Sequence, residues 1–296
     1  MISKAIMSIA TALHSHYLAS GIRGMEISLF LCGGASKQDA ELRATLGARL
    51  AGKKSKYTYV VHYPETMFAE LILGHKRRNL LELENLLAES VSAVIIPLQS
   101  PGTFTELGAF SNHPRLCDKL VVIIDPKYRF VKSFINTGPI RHLRTQTKSL
   151  ILYQPISIST VDDLSKIVAD ASRTIAARNP IEPSLLNPLN AKDFFFILAT
   201  VLEPLTRKAA IEIAEVLSPS DKCKAALVAD SVLDILVNER LIFTKAGKYY
   251  VPPRSVEQMV SAIPTEKRRI ETRQLIWSLR IKAMNCIYRR KSVAWS

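Results

Sequence analysis

The stretch VSAVIIPLQSPGTFTELGAF, residues 91–110, decides the fold, because it joins a buried strand to a helix through a short polar loop. Residues 91–97 are apolar almost throughout, which is typical of a strand covered on both faces of a parallel sheet. The loop at 98–102 ends at Gly102, and Thr103 is a suitable N-cap for a helix that we predict near residues 103–112. The stretch therefore predicts half of a βαβ unit.

The same alternation continues on both sides of this stretch. Further apolar runs predict strands at 26–32, 57–63, 119–125 and 149–153, and helical periodicity predicts helices at 38–51, 65–73, 79–90 and 160–177. Alternating strands and helices indicate an α/β domain with a flavodoxin- or Rossmann-like parallel sheet. Ligands of such sheets lie at the carboxyl ends of the strands. We therefore predict that the loops after Cys32 and after Pro97 together form a single site.

The second half of the chain has a different pattern. Residues 178–190 contain three prolines and predict a linker. Three helical segments follow, and then two short strands surround a Lys-Ala-Gly-Lys turn, an outline that indicates a winged-helix-like domain or a small helical docking domain. We thus expect four segments: a catalytic domain at 1–177 with an N-terminal helix at 1–24, the linker, a winged-helix-like domain at 191–253 and a basic helical tail at 254–296.

The positive charge of the chain is concentrated near its end. The 296 residues carry a net charge of +14, and residues 264–296 hold nine basic side chains against two acidic ones. Such a segment suits a polyanionic partner, although a charge run can also be a solvated helix face. We predict a nucleic-acid or partner contact at Lys267, Arg268, Arg269 and Arg273. A loop cluster, Lys76, Arg77 and Arg78, is a second candidate for a partner surface or for a dinucleotide phosphate.

The cysteines and the apolar segments indicate where in the cell the protein is found. The four cysteines are far apart and form no C-x-x-C pair, so we expect neither a disulfide framework nor a zinc site, and no metal. No apolar run approaches the length of a membrane span, and the N-terminal segment is better explained as an amphipathic helix than as a signal peptide. We therefore expect a cytoplasmic protein that has no contact with a membrane.

Glu106 is the strongest candidate for a catalytic residue. It lies one helical turn after Gly102, so both face the same corner at the helix N-terminus, where backbone N–H groups bind anions or hydroxyls. A carboxylate in such a corner suits attack on an anomeric carbon, or stabilisation of the positive charge that develops there. Alternatively, Glu106 only stabilises the helix N-terminus. Tyr63 and Glu65, after the second strand, could line the same pocket, unless Pro64-Glu65 simply begins a helix.

Four ordered stretches resemble one family. LFLCGG at 29–34, HYPE at 62–65 and SPGTFTELGAFSN at 100–112 are similar to the nucleoside deoxyribosyltransferase superfamily. Together with SFINTGPIRHL at 133–143, they resemble more closely the retron effectors, in which such a domain precedes a DNA-binding-like domain.

This resemblance implies roles for particular residues. Glu106 matches the family's catalytic glutamate, the nucleophile at C1′ of a ribosyl or deoxyribosyl group. Gly33 and Gly34 match the glycine turn against the substrate. The loop that contacts the sugar or phosphate is matched by Ser100, Gly102 and Thr103. No cofactor is implied, because NAD or a nucleotide is the substrate.

The resemblance also implies a biological setting. Retron effectors of this type are N-glycosidase toxins of anti-phage defence, which a reverse transcriptase bound to multicopy single-stranded DNA, an RNA–DNA hybrid, holds inactive. A homo-oligomer is expected, because superfamily members often share active sites. Two departures, Ser100-Pro101 in place of an acidic loop residue and Leu29-Phe30 in place of a tyrosine, favour hydrolysis over transfer. The alternatives are a nucleotide-sensing DNA-binding regulator and a phosphoribohydrolase of nucleoside monophosphates.

Overall fold

The computed structural model describes residues 3–20, 26–34, 36–53, 55, 57–63, 90–261, 263 and 266–293. In chain order the helices are α1 (Lys4–Ser20), α2 (Lys37–Ala51), α3 (Pro101–Ser111), α4 (Arg141–Gln146), α5 (Val161–Arg178), α6 (Pro188–Val201), α7 (Arg207–Leu217), α8 (Lys222–Asn238), α9 (Pro253–Ser261) and α10 (Glu266–Val293). The strands are β1 (Glu26–Leu31), β2 (Thr58–His62), β3 (Ala93–Pro97), β4 (Leu120–Ile124), β5 (Leu150–Tyr153), β6 (Leu205–Thr206), β7 (Phe243–Lys245) and β8 (Lys248–Tyr250). The described residues form two compact units.

The first unit, called the α/β unit here, contains a five-stranded parallel sheet. Its strand order is β2-β1-β3-β4-β5, and every neighbouring pair is parallel. This is the flavodoxin-like order, so the predicted fold class is confirmed. All residues of β3 and β4 are buried, because helices cover both faces of the sheet. The predicted helices at 65–73 and 79–90 lie outside the described residues.

The helices of the α/β unit pack by their apolar faces. Leu42, Leu46 and Leu50 of α2 join Leu164 and Val168 of α5 in one core cluster with alternate residues of the central strands. These leucines recur at the 3.6-residue period of a helix, which is the pattern that predicted α2. Helix α3 begins at Pro101, two residues before the predicted start, because Ser100 rather than Thr103 is its N-cap.

The second unit, called the helical unit here, contains α1 and the chain from residue 183 onward. The chain enters it within the proline-rich stretch, where Asn187 caps α6 through its side chain and Pro188 occupies the first helical position. Helix α6 is almost entirely buried and carries Phe194, Phe195 and Phe196 in the core. Strands β6, β8 and β7 form a small antiparallel sheet beside the helices.

From α6 to β8, the element order of the helical unit is a helix, a short strand, two helices and a β-hairpin. The hairpin turns at Ala246 and Gly247, both with positive φ, at the Lys-Ala-Gly-Lys turn expected from the sequence. The short strand β6 was not foreseen. A winged-helix-like domain in this region stays a prediction.

Two segments differ from the expected organisation. The N-terminal helix, which we assigned to the catalytic domain, packs in the helical unit, where the His14 ring lies edge-on to Phe194 at 5.8 Å. The C-terminal segment is helical but is no free tail, because Ile276, Leu279 and Ala283 are buried. Their spacing of three and four residues gives α10 an apolar face, which packs against α1 and α6. No helix in the described part of the chain is long and apolar enough to cross a membrane.

Candidate active site

The loops predicted to form one site lie side by side at the carboxyl edge of the sheet. Strand β1 lies between β2 and β3, where the strand order reverses, so this edge contains the switch point that binds ligands in open α/β sheets. The Cys32 amide donates to the Ile95 carbonyl at 3.0 Å, and the Leu98 amide donates to the Ile123 carbonyl at 2.9 Å. These bonds extend the sheet and fix where both loops begin.

Ser100 and Thr103 hold the loop after β3 in shape. The Ser100 hydroxyl accepts from the Thr103 amide at 3.4 Å, and the Thr103 hydroxyl accepts from the amides of Ser100 and Gln99 at 3.1 and 3.2 Å. The Thr103 hydroxyl also donates to the Ser100 carbonyl at 2.8 Å. The Thr103 side chain is fully buried, and its hydrogen bonds with Ser100 form a capping box that shapes the loop.

Glu106 lies at the border of the buried face of α3. The fully buried Thr103 is one turn before it, and Leu107 and Phe110 follow on the same face. The carboxylate oxygen Oε2 of Glu106 is inaccessible to solvent. Burial of a carboxylate is unfavourable for folding, so a glutamate that only served the helix N-terminus would be better placed in solvent. The position therefore favours a functional role for Glu106.

Gly33 and Gly34 make room for two charged side chains of α2. A Cβ atom at Gly33 would lie 2.5 Å from Cδ of Arg43, and a Cβ atom at Gly34 would overlap the carboxylate of Asp39. The Ser36 hydroxyl, the N-cap of α2, donates to Oδ2 of Asp39 at 2.7 Å. The two glycines thus allow the loop to pack closely on α2.

Tyr63, which follows β2, packs against the same helix. Its hydroxyl lies so close to Gly47 that a Cβ atom there would overlap it, and the Arg43 guanidinium lies 5.8 Å from its ring centroid. Burial raises the pKa of the Tyr63 hydroxyl above its ordinary value, against the opposing charge of Arg43, so the group stays a proton donor at neutral pH. Arg43 therefore connects Gly33 with Tyr63.

The sequence reasoning missed Asp39 and Arg43. The motif Ser36-x-x-Asp39 before an apolar helix is a capping signal that could have drawn attention to Asp39. Arg43 follows Asp39 by four residues and shares its helix face. Its Nη1 atom is inaccessible to solvent, and so is Nε2 of His62 at the end of β2.

A cavity of about 360 Å³ opens beside the loop after β3. Leu98, Gln99 and Phe104 line it on one side, and the segment after β4 lines it on the other with Tyr128, Val131, Ser133, Ile135 and Asn136. Gly102 is exposed at the start of α3, and a Cβ atom there would meet nothing closer than the Ser100 hydroxyl at 3.8 Å. The protein itself leaves this position uncrowded, so a ligand could approach the Gly102 backbone.

Other predicted residues are outside the described part of the chain or belong to the helical unit. Glu65, Lys76, Arg77 and Arg78 lie outside the described residues. Lys267 is exposed at the start of α10, and Arg268 lies beside it on the same helix. Arg269 donates to the Ile263 carbonyl and to Glu266, while Arg273 donates to Glu257 at 2.8 Å. Arg269 and Arg273 therefore make contacts within the helical unit itself. Among the described residues, no cluster of His, Cys, Asp and Glu could hold a metal ion.

Comparison with known proteins identifies relatives over most of the chain. The description "STM3845 retron effector protein" belongs to a family that matches residues 39–244. An Escherichia coli protein, the "Retron Ec86 putative ribosyltransferase/DNA-binding protein", is 32% identical over 280 residues, which cover 90% of this chain and 87% of that protein. The corresponding Escherichia coli protein of retron Ec73 is 29% identical over 245 residues, 75% of this chain and 76% of its own length.

Proposed function

Because this chain belongs to the STM3845 retron effector family, we propose that it is an N-glycosidase, the toxic effector of a retron anti-phage defence system. Its substrate is NAD or a (deoxy)nucleotide, and Glu106 is the catalytic residue. The relatives named ribosyltransferase/DNA-binding proteins support chemistry at a ribosyl carbon. The observation that carries the proposal is the half-buried Glu106 carboxylate beside the capped loop at the carboxyl edge of the sheet.

The proposed mechanism uses the change of charge at C1′. When the bond between C1′ and the base nitrogen breaks, the bonding electron pair leaves with the base, and C1′ becomes positively charged. The Glu106 carboxylate attacks C1′ or shields this charge, and water then adds to C1′ and releases a proton. For NAD the products are nicotinamide, ADP-ribose and that proton. Burial strengthens the attraction between the carboxylate and C1′, because little water screens it.

The loop and the first strand support hydrolysis over transfer to a second base. Ser100-Pro101 presents no acidic group, and the side chains of Leu29 and Phe30 are fully buried in the sheet. In this proposal Tyr63, which follows β2, and the neighbouring Arg43 of α2 contact the sugar or phosphate of a substrate. A water molecule is the acceptor that needs the fewest protein contacts.

The partners in this proposal are a retron reverse transcriptase and its multicopy single-stranded DNA with the associated RNA. They bind the effector and hold it inactive until infection. The winged-helix-like region and exposed cations such as Lys267 of α10 supply contacts to this complex, and the effector forms a homo-oligomer. The family membership and the DNA-binding part of the relatives' names support this arrangement.

The decisive experiment is chromatography of NAD, nucleoside monophosphates and nucleosides after incubation with the protein, alone and with its reverse transcriptase complex. We expect release of nicotinamide or a nucleobase by the wild type and a loss of at least about 10³-fold in Glu106→Gln. Glu41→Gln makes the same change at an exposed position of α2 and should keep full activity.

Three outcomes distinguish this proposal from its alternatives. Turnover that persists in Glu106→Gln would contradict the catalytic assignment. Cleavage restricted to 5′-monophosphates would indicate a phosphoribohydrolase. If wild type and Glu106→Gln both bind nucleotide stoichiometrically and leave it intact, with and without the reverse transcriptase complex, a nucleotide-sensing regulator is favoured.

A further inference from the structure

An unusual surface lies in the segment that follows β4. Residues 127–134, called the aromatic–basic surface here, read KYRFVKSF. Phe130 is 87% exposed, Phe134 is 82% exposed and Tyr128 is 49% exposed. Folded proteins keep few large rings so accessible in one short segment, and clusters of them mark interaction sites.

The backbone under these rings is fixed by hydrogen bonds. The Asp125 carboxylate accepts from the Lys127 amide at 3.0 Å and caps the turn Pro126–Tyr128. The side-chain amide of Asn136 donates to the carbonyls of Tyr128 and Val131 at 2.8 and 2.7 Å. These hydrogen bonds hold the backbone of the turn in place, so the rings are displayed on a preorganised support.

The surroundings of the rings are positively charged. Residues 126–148 contain six Lys or Arg and no Asp or Glu. Lys127 pairs with Asp125 at 3.2 Å, but within the described residues neither Arg129 nor Lys132 has a carboxylate at ion-pair distance. Arg129 lies instead over the rings of Phe130 and Tyr153, 5.3 and 5.1 Å from their centroids. Its charge therefore stays available to an anion.

We propose that the aromatic–basic surface binds single-stranded nucleic acid. Exposed rings offer stacking platforms for unpaired bases, and the surrounding cations attract the phosphates between them. A duplex hides the faces of its bases and would leave Phe130 and Phe134 unused. A protein partner would have to be strongly acidic, whereas every nucleic-acid strand brings its negative charge with it.

This inference goes beyond the proposed function, because it gives the α/β unit its own nucleic-acid surface in addition to the contacts expected from the helical unit. Tyr128 and Val131 also line the cavity beside Gln99. A bound strand would thus lie at the mouth of that cavity. The binding itself does not depend on catalysis, so Glu106→Gln should bind the same strand as the wild type.

The aromatic part is tested with the full-length protein and a fluorescein-labelled oligothymidine of about 15 nucleotides, by fluorescence anisotropy. Phe130→Ala with Phe134→Ala should weaken binding at least about tenfold, since each ring stacks on a base. Ile158→Ala removes an exposed apolar side chain elsewhere in the α/β unit and should bind as the wild type. Both changes are at exposed positions, and circular dichroism will verify the fold.

The electrostatic part is tested by salt titration of the same complex. Lys132→Ala should lower the slope of log affinity against log salt by about 0.7, the value for one phosphate of a single strand. Lys166→Ala removes a lysine that pairs with Asp163 at 2.9 Å and should leave the slope unchanged. The double phenylalanine variant should keep the wild-type slope, because it removes no charge.

Cross-linking separates this surface from contacts made by the helical unit. An oligothymidine that contains 4-thiothymidine should cross-link to peptides containing residues 127–134. Equal binding by the wild type and the double phenylalanine variant, or cross-links to the helical unit alone, would overturn the proposal. Preference for a duplex of the same length would also overturn it. In these cases the surface would instead fit an acidic protein.

Discussion

The aromatic–basic surface and helix α10 carry the same kinds of basic side chain but use them differently. Arg129 lies on aromatic rings and has no carboxylate partner among the described residues. Arg280 in α10 donates to the Thr200 carbonyl and to the Glu203 carboxylate, the latter at 2.7 Å. An arginine over a ring keeps its charge directed at solvent, whereas an arginine held by a carboxylate contributes chiefly to the stability of its own unit.

The comparison teaches that the net charge of a segment does not measure the charge available to a partner. Three arginines of α10, at positions 269, 273 and 280, pair with Glu266, Glu257 and Glu203. The segment 126–148 has six basic residues, and within the described part of the chain its one ion pair is that of Lys127 with Asp125 at 3.2 Å. The segment with more basic residues, 264–296 with nine, is therefore not automatically the better site for a polyanion.

The largest effect on stability is expected at Arg280. Arg280→Met leaves the mostly buried Glu203 carboxylate without this cation and should lower the free energy of unfolding by about 2 kcal/mol. Urea denaturation followed by tryptophan fluorescence measures this, because both tryptophans, at 277 and 295, lie in the C-terminal segment.

Arg129→Met is the matched control for Arg280→Met. It makes the same substitution on the aromatic–basic surface, where no carboxylate is left behind, and should change the free energy of unfolding by no more than about 0.5 kcal/mol. Equal losses in both variants would mean that the two arginines are equally structural, and the contrast between the regions would then be wrong.

A smaller effect, on activity, is expected at Gly47 in the α/β unit. Gly47→Ala places a methyl group where the Tyr63 hydroxyl lies, so the ring must move away from α2 and Arg43. If Tyr63 lines the substrate pocket as proposed, the substrate KM should rise about tenfold, the loss of one well-placed hydrogen bond. Initial rates over a range of substrate concentrations measure this.

Gly108→Ala separates the displacement of Tyr63 from a general effect of replacing a helical glycine. Gly108 lies in α3, and a Cβ atom there meets nothing within 4 Å. Alanine should therefore stabilise α3 by up to about 1 kcal/mol and leave KM unchanged. An unchanged KM in Gly47→Ala as well would remove Tyr63 from the pocket.

The sequence could predict the sheet because its central strands are apolar on both faces, and burial on both faces needs no knowledge of distant contacts. The site loops were predictable for a related reason, since all parallel strands end at one edge. The contact of Gly33 with Arg43 was not predictable from spacing, because it depends on how α2 packs against the sheet. The sequence also suggested Thr103 as the N-cap of α3, whereas Ser100 is the N-cap and the Thr103 hydroxyl bonds to the loop backbone.

The position of α1 shows a second limit. Ile9 and Leu13 are buried, as expected for one face of the predicted amphipathic helix, but periodicity identifies an apolar face and not the surface that covers it. In α10, likewise, the basic composition predicted a tail, whereas Ile276, Leu279 and Ala283 form a buried apolar face. Both helices are covered by elements that are far away in the sequence, since α1 and α10 pack against each other and against α6.

The weakest expected effect is a pH dependence in the helical unit, which contains a histidine in an apolar contact. Burial against Phe194 lowers the pKa of His14 below its ordinary value of 6.5, so the unfolded chain takes up this proton at a higher pH than the folded protein. Protonation therefore favours unfolding, and the stability lost through His14 is absent well above pH 6.5 and grows as the pH falls below it. His14→Gln should make the free energy of unfolding less sensitive to pH between about 7.5 and 5.5. His16→Gln, at an exposed position of the same helix, should keep the wild-type dependence, and identical pH profiles for wild type and His14→Gln would show that α1 does not hold His14 in an apolar contact.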